Sequence, residues 1–170
     1  MIVLMAGLPG TGKTTLAREL ARRTGGRVLS KDEFRHSIFT SAEIEYSSRQ
    51  DDFVLQLMFQ TAGFLLQRNP SLHVFLDGRP FSRRYQIANA IAAAEFMHQP
   101  WRIIECICSE ELARQRLEHA ADKSAHPAAN RDYQLYQAVK DRFEFIAFPK
   151  TQIDTARDVE ECVREALKSL

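Results

Sequence analysis

The sequence is poor in cysteine, nearly balanced in charge and free of long apolar runs. Its 3 cysteines are odd in number, and Cys106 lies two residues from Cys108, which argues against a disulfide framework or a zinc site. We expect buried, reduced thiols in a cytoplasmic protein. The formal net charge of +1 argues against holding nucleic acid by bulk electrostatics, although a local basic groove stays open. No apolar run approaches the ~18 residues of a membrane span, and residues 1–7 lack the basic region of a signal peptide.

Short apolar runs alternate with longer stretches of helical periodicity, and no internal repeat is visible. The length of 170 residues predicts one domain, 1–170, with 45% hydrophobic residues as in globular proteins. The alternation predicts an α/β fold with a mostly parallel sheet covered by helices on both faces. The five predicted strands are Ile2–Ala6, Arg27–Leu29, His73–Asp77, Trp101–Cys108 and Thr151–Asp154.

Several helix boundaries have sequence signals of their own. Ser30 with Glu33, and Thr40 with Glu43, are spaced as helix capping boxes. The next helices are predicted at about Ser47–Gln67, Ser82–Met97 and Ser109–His119, and residues 120–130 have the polar composition of a loop.

A glycine-rich turn follows the first predicted strand. The run GLPGTGKT matches G-x-x-x-x-G-K-[ST] completely and lies between a strand and a helix, as a phosphate-binding loop requires. Glycines let backbone N–H groups surround phosphate oxygens, Lys13 reaches the β- and γ-phosphates, and the Thr14 hydroxyl can ligate Mg²⁺. The predicted nucleotide-binding residues are Gly7, Leu8, Pro9, Gly10, Thr11, Gly12, Lys13, Thr14 and Thr15.

The third predicted strand is an apolar run that ends in an acid, Asp77, in the form of a Walker B strand. An acid at this end of a strand lies beside the phosphates in a doubly wound sheet, so Asp77 is predicted to hold Mg²⁺ together with Thr14. The alternative is an aspartate that caps the turn before Gly78.

Asp32 and Arg35 follow the second predicted strand, three residues apart on one helical face. Phosphoryl transfer to an alcohol needs a carboxylate that takes the hydroxyl proton and a cation that steadies the acceptor or the phosphoryl group. This pair is therefore a candidate for the acceptor side. The alternative role of Asp32 is to favour the helix dipole, worth ~0.3–1 kcal/mol.

The segments GLPGTGKTT, LSKDEFRHSIF and VFLDG together resemble the P-loop kinases grouped with the 5′-kinase domain of phage-type polynucleotide kinase, the AAA_33-type ATP-binding kinases. Similar arrangements occur in zeta toxins, chloramphenicol phosphotransferases and adenylyl-sulfate kinases. The resemblance implies a P-loop NTPase fold with a five-stranded parallel sheet and a short lid. It also implies ATP and Mg²⁺ as cofactors, Asp32 as the general base, and Arg35 as a contact to acceptor or phosphate.

Two departures from the family pattern lie on the acceptor side. Polynucleotide kinases usually carry a small hydroxyl residue soon after the Walker B aspartate, whereas here the run is DGRPFSRR. The family's lid helix often has two arginines about four residues apart, which stabilise charge on the transferring phosphoryl group. With a lid at about 119–131, Arg116 matches the first and is predicted to be catalytic, and Ala120 stands at the second position. The candidates to replace the second are Arg114, His126, Asn130 and Arg131.

Arg79, Arg83 and Arg84 cluster just after the Walker B strand, where the acceptor is expected. With Arg131 they are the predicted acceptor-binding residues for an anionic substrate such as a nucleic-acid phosphate, a sulfate or a sugar phosphate. Phe81 and Tyr85 add aromatic surface on which a base can stack. The alternative is a charged helix start with Phe81 as a hydrophobic staple.

Together these features predict an ATP-dependent kinase that transfers the γ-phosphate to a hydroxyl group. A nucleic-acid 5′-OH is the first specific acceptor, and a small metabolite or antibiotic is the second. A different class, a nucleotide-binding switch or an NTPase without a dedicated acceptor, also accommodates the loop, but it has no need for Asp32.

Overall fold

Strands and helices alternate along the chain, as the apolar pattern predicts. The computed structural model describes residues 1–122 and 133–170. Its strands are β1 (Ile2–Ala6), β2 (Arg27–Ser30), β3 (Val74–Asp77), β4 (Trp101–Ile107) and β5 (Thr151–Asp154). Its helices are α1 (Lys13–Thr24), α2 (Lys31–Ile38), α3 (Ser48–Arg68), α4 (Arg84–Phe96), α5 (Glu110–Asp122), α6 (Tyr133–Asp141) and α7 (Val159–Leu167).

The five strands form one parallel sheet in the order β2-β3-β1-β4-β5. This confirms the predicted five-stranded parallel sheet. β1 is central, and β2 lies at one edge with β3 between them, so that Ser30 pairs in register with Asp77. The segments that follow β1, β2 and β3 therefore meet at one edge of the sheet, which is where ligands of such sheets bind.

β1 is buried along its whole length because helices cover both faces of the sheet. Ile2 and Leu4 pack into a hydrophobic layer formed with α3 and α4. Val3 and Met5 point to the opposite layer, which α1 and α7 complete. This alternation is the two-residue period of a strand with two buried faces.

The two predicted capping boxes have different outcomes. The Ser30 hydroxyl accepts a hydrogen bond from the backbone N–H of Glu33 at 3.4 Å, and α2 begins there. The Glu43 carboxylate accepts from the backbone N–H and the hydroxyl of Thr40, each at 2.8 Å, but no helix follows. The expectation of a second helix start at Thr40 is wrong, because these bonds close a turn, and α3 is instead capped by Ser47.

Helix boundaries also differ on either side of β4. The helix predicted from Ser82 begins at Arg84, since Phe81 has a φ of 52° and the Ser82 carbonyl accepts from the N–H of Glu144 instead. The helix predicted to end near His119 continues through residue 122. The rest of the predicted lid, with His126, Asn130 and Arg131, lies outside the described residues.

Cys106, Cys108 and Cys162 form no disulfide in the part of the chain that the structure describes. Burial raises the pKa of the Cys106 thiol to about 12, so this side chain stays protonated in the core. Within residues 1–122 and 133–170, no helix is both long enough and apolar enough to cross a bilayer.

Candidate active site

Residues 7–14, the phosphate loop, join β1 to α1 through three glycines with left-handed φ values. These φ values are 125° for Gly7, 77° for Gly10 and 78° for Gly12. A Cβ at Gly7 would overlap the carbonyl oxygen of Cys106, and one at Gly10 would lie 2.7 Å from the carbonyl oxygen of Ala113. The backbone of β4 and α5 thus contacts the loop directly, and only glycine fits at positions 7 and 10.

Lys13, the first residue of α1, is only 7% exposed and folds back over the loop. Its Nζ donates to the carbonyl oxygen of Leu8 at 2.6 Å, and the Thr11 hydroxyl donates to the same oxygen at 2.7 Å. The ammonium group therefore lies at the N-terminus of a helix, the position at which a P-loop lysine meets phosphate. Thr15, two positions after Lys13 in α1, is exposed.

Thr14 and Asp77 meet across the sheet edge, as the Walker B hypothesis requires. The Thr14 hydroxyl donates to Oδ2 of Asp77 at 2.8 Å. Oδ1 of the same carboxylate is buried and has no hydrogen-bond partner among the described residues, which is costly unless a ligand uses it. A hydroxyl and a carboxylate oxygen at one point suit Mg²⁺.

A protein-only metal site does not exist in the described ranges, because no three His, Cys, Asp or Glu side chains converge there. A magnesium ion at Thr14 and Asp77 would therefore take its other ligands from water and from nucleotide phosphates, which is the usual way proteins hold this ion. The residues present fit Mg²⁺ bound together with a nucleotide.

Arg116 of α5 lies on the other side of the phosphate loop from Asp32. Its Nη1 donates to the Thr155 hydroxyl at 3.0 Å, and its Nη2 donates to the Thr155 carbonyl oxygen at 2.7 Å. A weaker contact of 3.5 Å joins Nη1 to the carbonyl oxygen of Gly10. Arg116 thus connects the loop after β5 with the phosphate loop, and its role as a catalytic lid arginine stays a prediction.

A pocket of about 90 Å³ opens between the phosphate loop, α2 and α6, and we call it the acceptor pocket after the role predicted for Asp32. It brings Lys13 of the phosphate loop together with Asp32 and Arg35 of α2, so that candidates from two separate segments of the sequence meet here. Asp32 is 4% exposed and Arg35 is 1% exposed, so both side chains lie in the pocket wall and not on its rim. The full lining is Pro9, Lys13, Lys31, Asp32, Arg35, Tyr46, Asp51, Gly78, Pro80, Leu135, Val139 and Arg142.

Two ion pairs and one cation–π contact hold the Arg35 guanidinium. Its Nη1 donates to Oδ1 of Asp32 at 3.1 Å, and its Nη2 contacts Oδ1 of Asp51. The ring of Tyr46 lies 5.1 Å from the guanidinium carbon, in cation–π contact. Tyr46 has a φ of 50°, an uncommon backbone conformation for a side chain of this size.

Lys31 is the other buried cation of the acceptor pocket. It is 7% exposed, and its Nζ pairs with Oδ2 of Asp51 at 2.8 Å. Burial lowers the pKa of Lys31, while the charges of Asp51 and Asp32 act in the opposite direction. A buried ammonium that is only partly compensated favours an anion beside it.

The predicted acceptor-binding arginines of residues 79–84 do not line the acceptor pocket. Arg79 is 2% exposed and forms an ion pair with Asp52 of α3 at 2.6 Å. Arg83 pairs with Glu144 at 3.0 Å, and the backbone N–H of Arg84 donates to the same carboxylate at 2.7 Å. Arg131 lies outside the described residues.

Several pocket residues carry no signal that sequence reasoning used. In the sequence, only its position next to Asp32, the candidate general base, connects Lys31 with the site. Asp51, Tyr46 and Arg142 reach the pocket from α3, from the loop before it and from the segment after α6. Such contacts between distant segments depend on the tertiary fold.

Comparisons with known proteins agree with this fold. A family model described as an AAA domain, AAA_33, matches residues 2–146. A search of curated proteins finds no match. Three solved structures are similar over nearly the whole chain, and because each is less than 25% identical, they establish the fold alone.

The first is a candidate kinase from Chloroflexus aurantiacus, at 22% identity and a TM-score of 0.76, covering 99% of this chain and 97% of that chain. The second is the APS kinase CysC of Mycobacterium tuberculosis in complex with AMPPNP and APS, at 17% identity and a TM-score of 0.73, covering 98% and 95%. The third is a gluconokinase from Sinorhizobium meliloti, at 18% identity and a TM-score of 0.66, covering 98% and 89%.

Proposed function

This chain belongs to the AAA_33 family of AAA domains, and from that premise we propose that it is an ATP-dependent kinase acting on the hydroxyl group of a small anionic acceptor. The observation that carries the proposal is the acceptor pocket, which both Lys13 of the phosphate loop and the buried carboxylate of Asp32 line. A simple nucleotide switch has no use for a carboxylate at this place.

The donor side is assigned to the phosphate loop, Lys13, Thr14 and Asp77. The loop and Lys13 hold the β- and γ-phosphates of ATP, and Thr14 with Asp77 holds the magnesium ion. Bound Mg²⁺ neutralises charge on the phosphates. Arg116, which bonds to Thr155 beside the loop, stays the candidate for the lid arginine that offsets charge on the transferring phosphoryl group.

The acceptor side is assigned to Asp32. Its carboxylate takes the proton of the acceptor hydroxyl as that oxygen forms a bond to the γ-phosphorus. The bond between this phosphorus and the β–γ bridging oxygen breaks, and ADP leaves with the electron pair. Lys13 stays beside the transferring group and offsets its negative charge.

The charge of the acceptor pocket supports an anionic acceptor. Its volume of about 90 Å³, far below the ~300–1,000 Å³ of pockets that hold drug-sized ligands, admits the reacting end of the acceptor. Lys31 and Arg142, which also line the pocket, supply cations for a carboxylate, sulfate or phosphate. Two of the similar structures, an APS kinase and a gluconokinase, are in keeping with an anionic acceptor.

A nucleic-acid 5′-OH, the first acceptor expected from the sequence, becomes the second candidate here, and the arginines near the start of α4 are the reason to keep it. Arg84 is exposed there, and Arg83 is 40% exposed at its side chain, so both are accessible from solvent. Glu144 neutralises part of this charge, and for that reason we rank this acceptor second.

The test is transfer of labelled γ-phosphate from ATP–Mg²⁺ to a panel of acceptors. The panel pairs the anion gluconate with its uncharged parent sugar glucose, and adds adenylyl sulfate, hydroxylated antibiotics and 5′-OH DNA and RNA oligonucleotides. Label on anionic small molecules supports the proposal, and Lys13→Ala is the control that must remove it.

The other outcomes each point elsewhere. Label on oligonucleotides alone replaces the small acceptor by a nucleic-acid end. Label on glucose and gluconate alike removes the requirement for an anion. Slow ATP hydrolysis with no labelled acceptor rejects a kinase and supports an NTPase or a nucleotide-binding switch.

A further inference from the structure

The ion pairs around Arg35 support an inference that rests on the proposed kinase function. We propose that Asp51 is a positioning residue that acts on the proton acceptor Asp32 through Arg35. We call these three ion-paired side chains the relay: Asp51 on α3, and Arg35 and Asp32 on α2.

The first step is that Arg35 is already committed to protein groups. Its two terminal nitrogens contact Asp32 and Asp51, the ring of Tyr46 covers its guanidinium, and the side chain is 1% exposed. A guanidinium whose forked donors both engage carboxylates is fixed in orientation. Arg35 therefore orients Asp32, and the contact to acceptor or phosphate that the family resemblance implies for it stays a prediction.

The second step is that Asp51 anchors Arg35 from outside α2. One oxygen of its carboxylate contacts Arg35, and the other accepts from Lys31 at 2.8 Å. Asp51 lies in the first turn of α3, a helix of 21 residues whose start is fixed by the Ser47 cap. A long capped helix provides a rigid support for a positioned carboxylate.

The neighbouring residue Asp52 provides a matched control. It also lies in the first turns of α3 and pairs with a buried arginine, Arg79, at 2.6 Å. Neither Asp52 nor Arg79 lines the acceptor pocket. A loss that comes only from breaking a buried ion pair would be similar in Asp51→Asn and Asp52→Asn, whereas a positioning role affects transfer only in the first.

The kinetic test compares these variants with the acceptor that the panel identifies. Asp51→Asn is expected to lower kcat about 10–100-fold, since a misplaced catalytic group costs up to ~100-fold, and to leave the KM for ATP unchanged. Asp52→Asn keeps the wild-type kcat. In an Asp32→Asn background, Asp51→Asn causes no further loss, because it acts through Asp32. Equal losses in the two single variants, or additive losses in the double variant, overturn the proposal.

A second measurement does not depend on activity. The Nη signals of Arg35 in an NMR spectrum are expected to be resolved in the wild type and in Asp52→Asn, because the guanidinium is held, and to be averaged in Asp51→Asn. Asp51→Glu, which keeps the charge but moves the carboxylate, serves if Asp51→Asn fails to fold. Resolved Nη signals of Arg35 in the Asp51 variant reject the relay. A wild-type protein that labels no acceptor rejects the proposed kinase function, and the NMR result then decides about the relay by itself.

Discussion

The phosphate loop and the acceptor pocket share one edge of the sheet but are built in opposite ways. The phosphate loop is a single run of eight residues, 7–14, whose shape comes from backbone geometry at three glycines. The acceptor pocket draws on α2, α3, α6 and the segment after β3, and side-chain ion pairs hold it together.

This difference has a physical consequence. A loop fixed by its own backbone binds phosphate through backbone N–H groups and not through particular side chains. Phosphate is the part that all nucleoside triphosphates share. A pocket fixed by side chains can change its ligand when one side chain changes. We therefore expect the phosphate loop to keep binding nucleoside triphosphates when side chains change. The acceptor pocket is expected to determine which acceptor this chain phosphorylates.

The largest expected effect separates the two sites. Asp32→Asn is expected to lower kcat by ~10²–10⁴-fold, the usual value of a positioned general base, while the affinity for ATP–Mg²⁺ stays at the wild-type value. Lys13→Ala is expected to lose nucleotide affinity as well as transfer, because its ammonium lies over the phosphate loop. Single-turnover transfer and calorimetric ATP titration measure the two effects. An Asp32→Asn enzyme with wild-type kcat would remove the general base from the mechanism.

The extent to which the sequence predicts each site follows the same division. The spacing of glycines, Lys13 and Thr14 lies within one local motif, and strand order brings Asp77 to it, so these residues were predictable. Asp51 was not, because nothing local distinguishes an acid in the first turn of α3 from one that favours the helix dipole.

The arginines after β3 were assigned to the acceptor on the basis of their position in the sequence alone. Their actual partners, Asp52 and Glu144, lie 27 and 61 residues away from Arg79 and Arg83 in the chain. Long-range pairing of this kind depends on helix packing, which the local pattern does not encode. The sheet itself was predictable, because apolar runs of strand length report burial on two faces.

A smaller effect distinguishes a glycine of the phosphate loop from one at a helix end. Gly7 and Gly25 both have positive φ values, 125° and 65°, but a Cβ at Gly7 meets the Cys106 carbonyl and one at Gly25 meets nothing within 4 Å. Gly7→Ala is expected to weaken ATP affinity about 10–100-fold through ~1–3 kcal/mol of strain. Gly25→Ala is expected to lower the free energy of unfolding by about 1 kcal/mol and to leave ATP affinity unchanged. Equal ATP affinity in both variants would show that the loop tolerates a side chain at its first glycine.

The smallest expected effects compare two cations that both form ion pairs, Lys31 in the acceptor pocket and Arg83 outside it. Lys31→Gln is expected to raise the KM for an anionic acceptor about tenfold, because one charged hydrogen bond is worth ~1.5–3 kcal/mol, and to leave the KM for a neutral acceptor unchanged. Arg83→Ala is expected to change neither, since an exposed pair contributes little and lies away from the pocket. Initial rates with gluconate and glucose measure both variants.

Should charge reversal at Arg83 and Arg84 instead weaken oligonucleotide binding and flatten its salt dependence, the basic segment after β3 would be the acceptor surface and the small pocket would not.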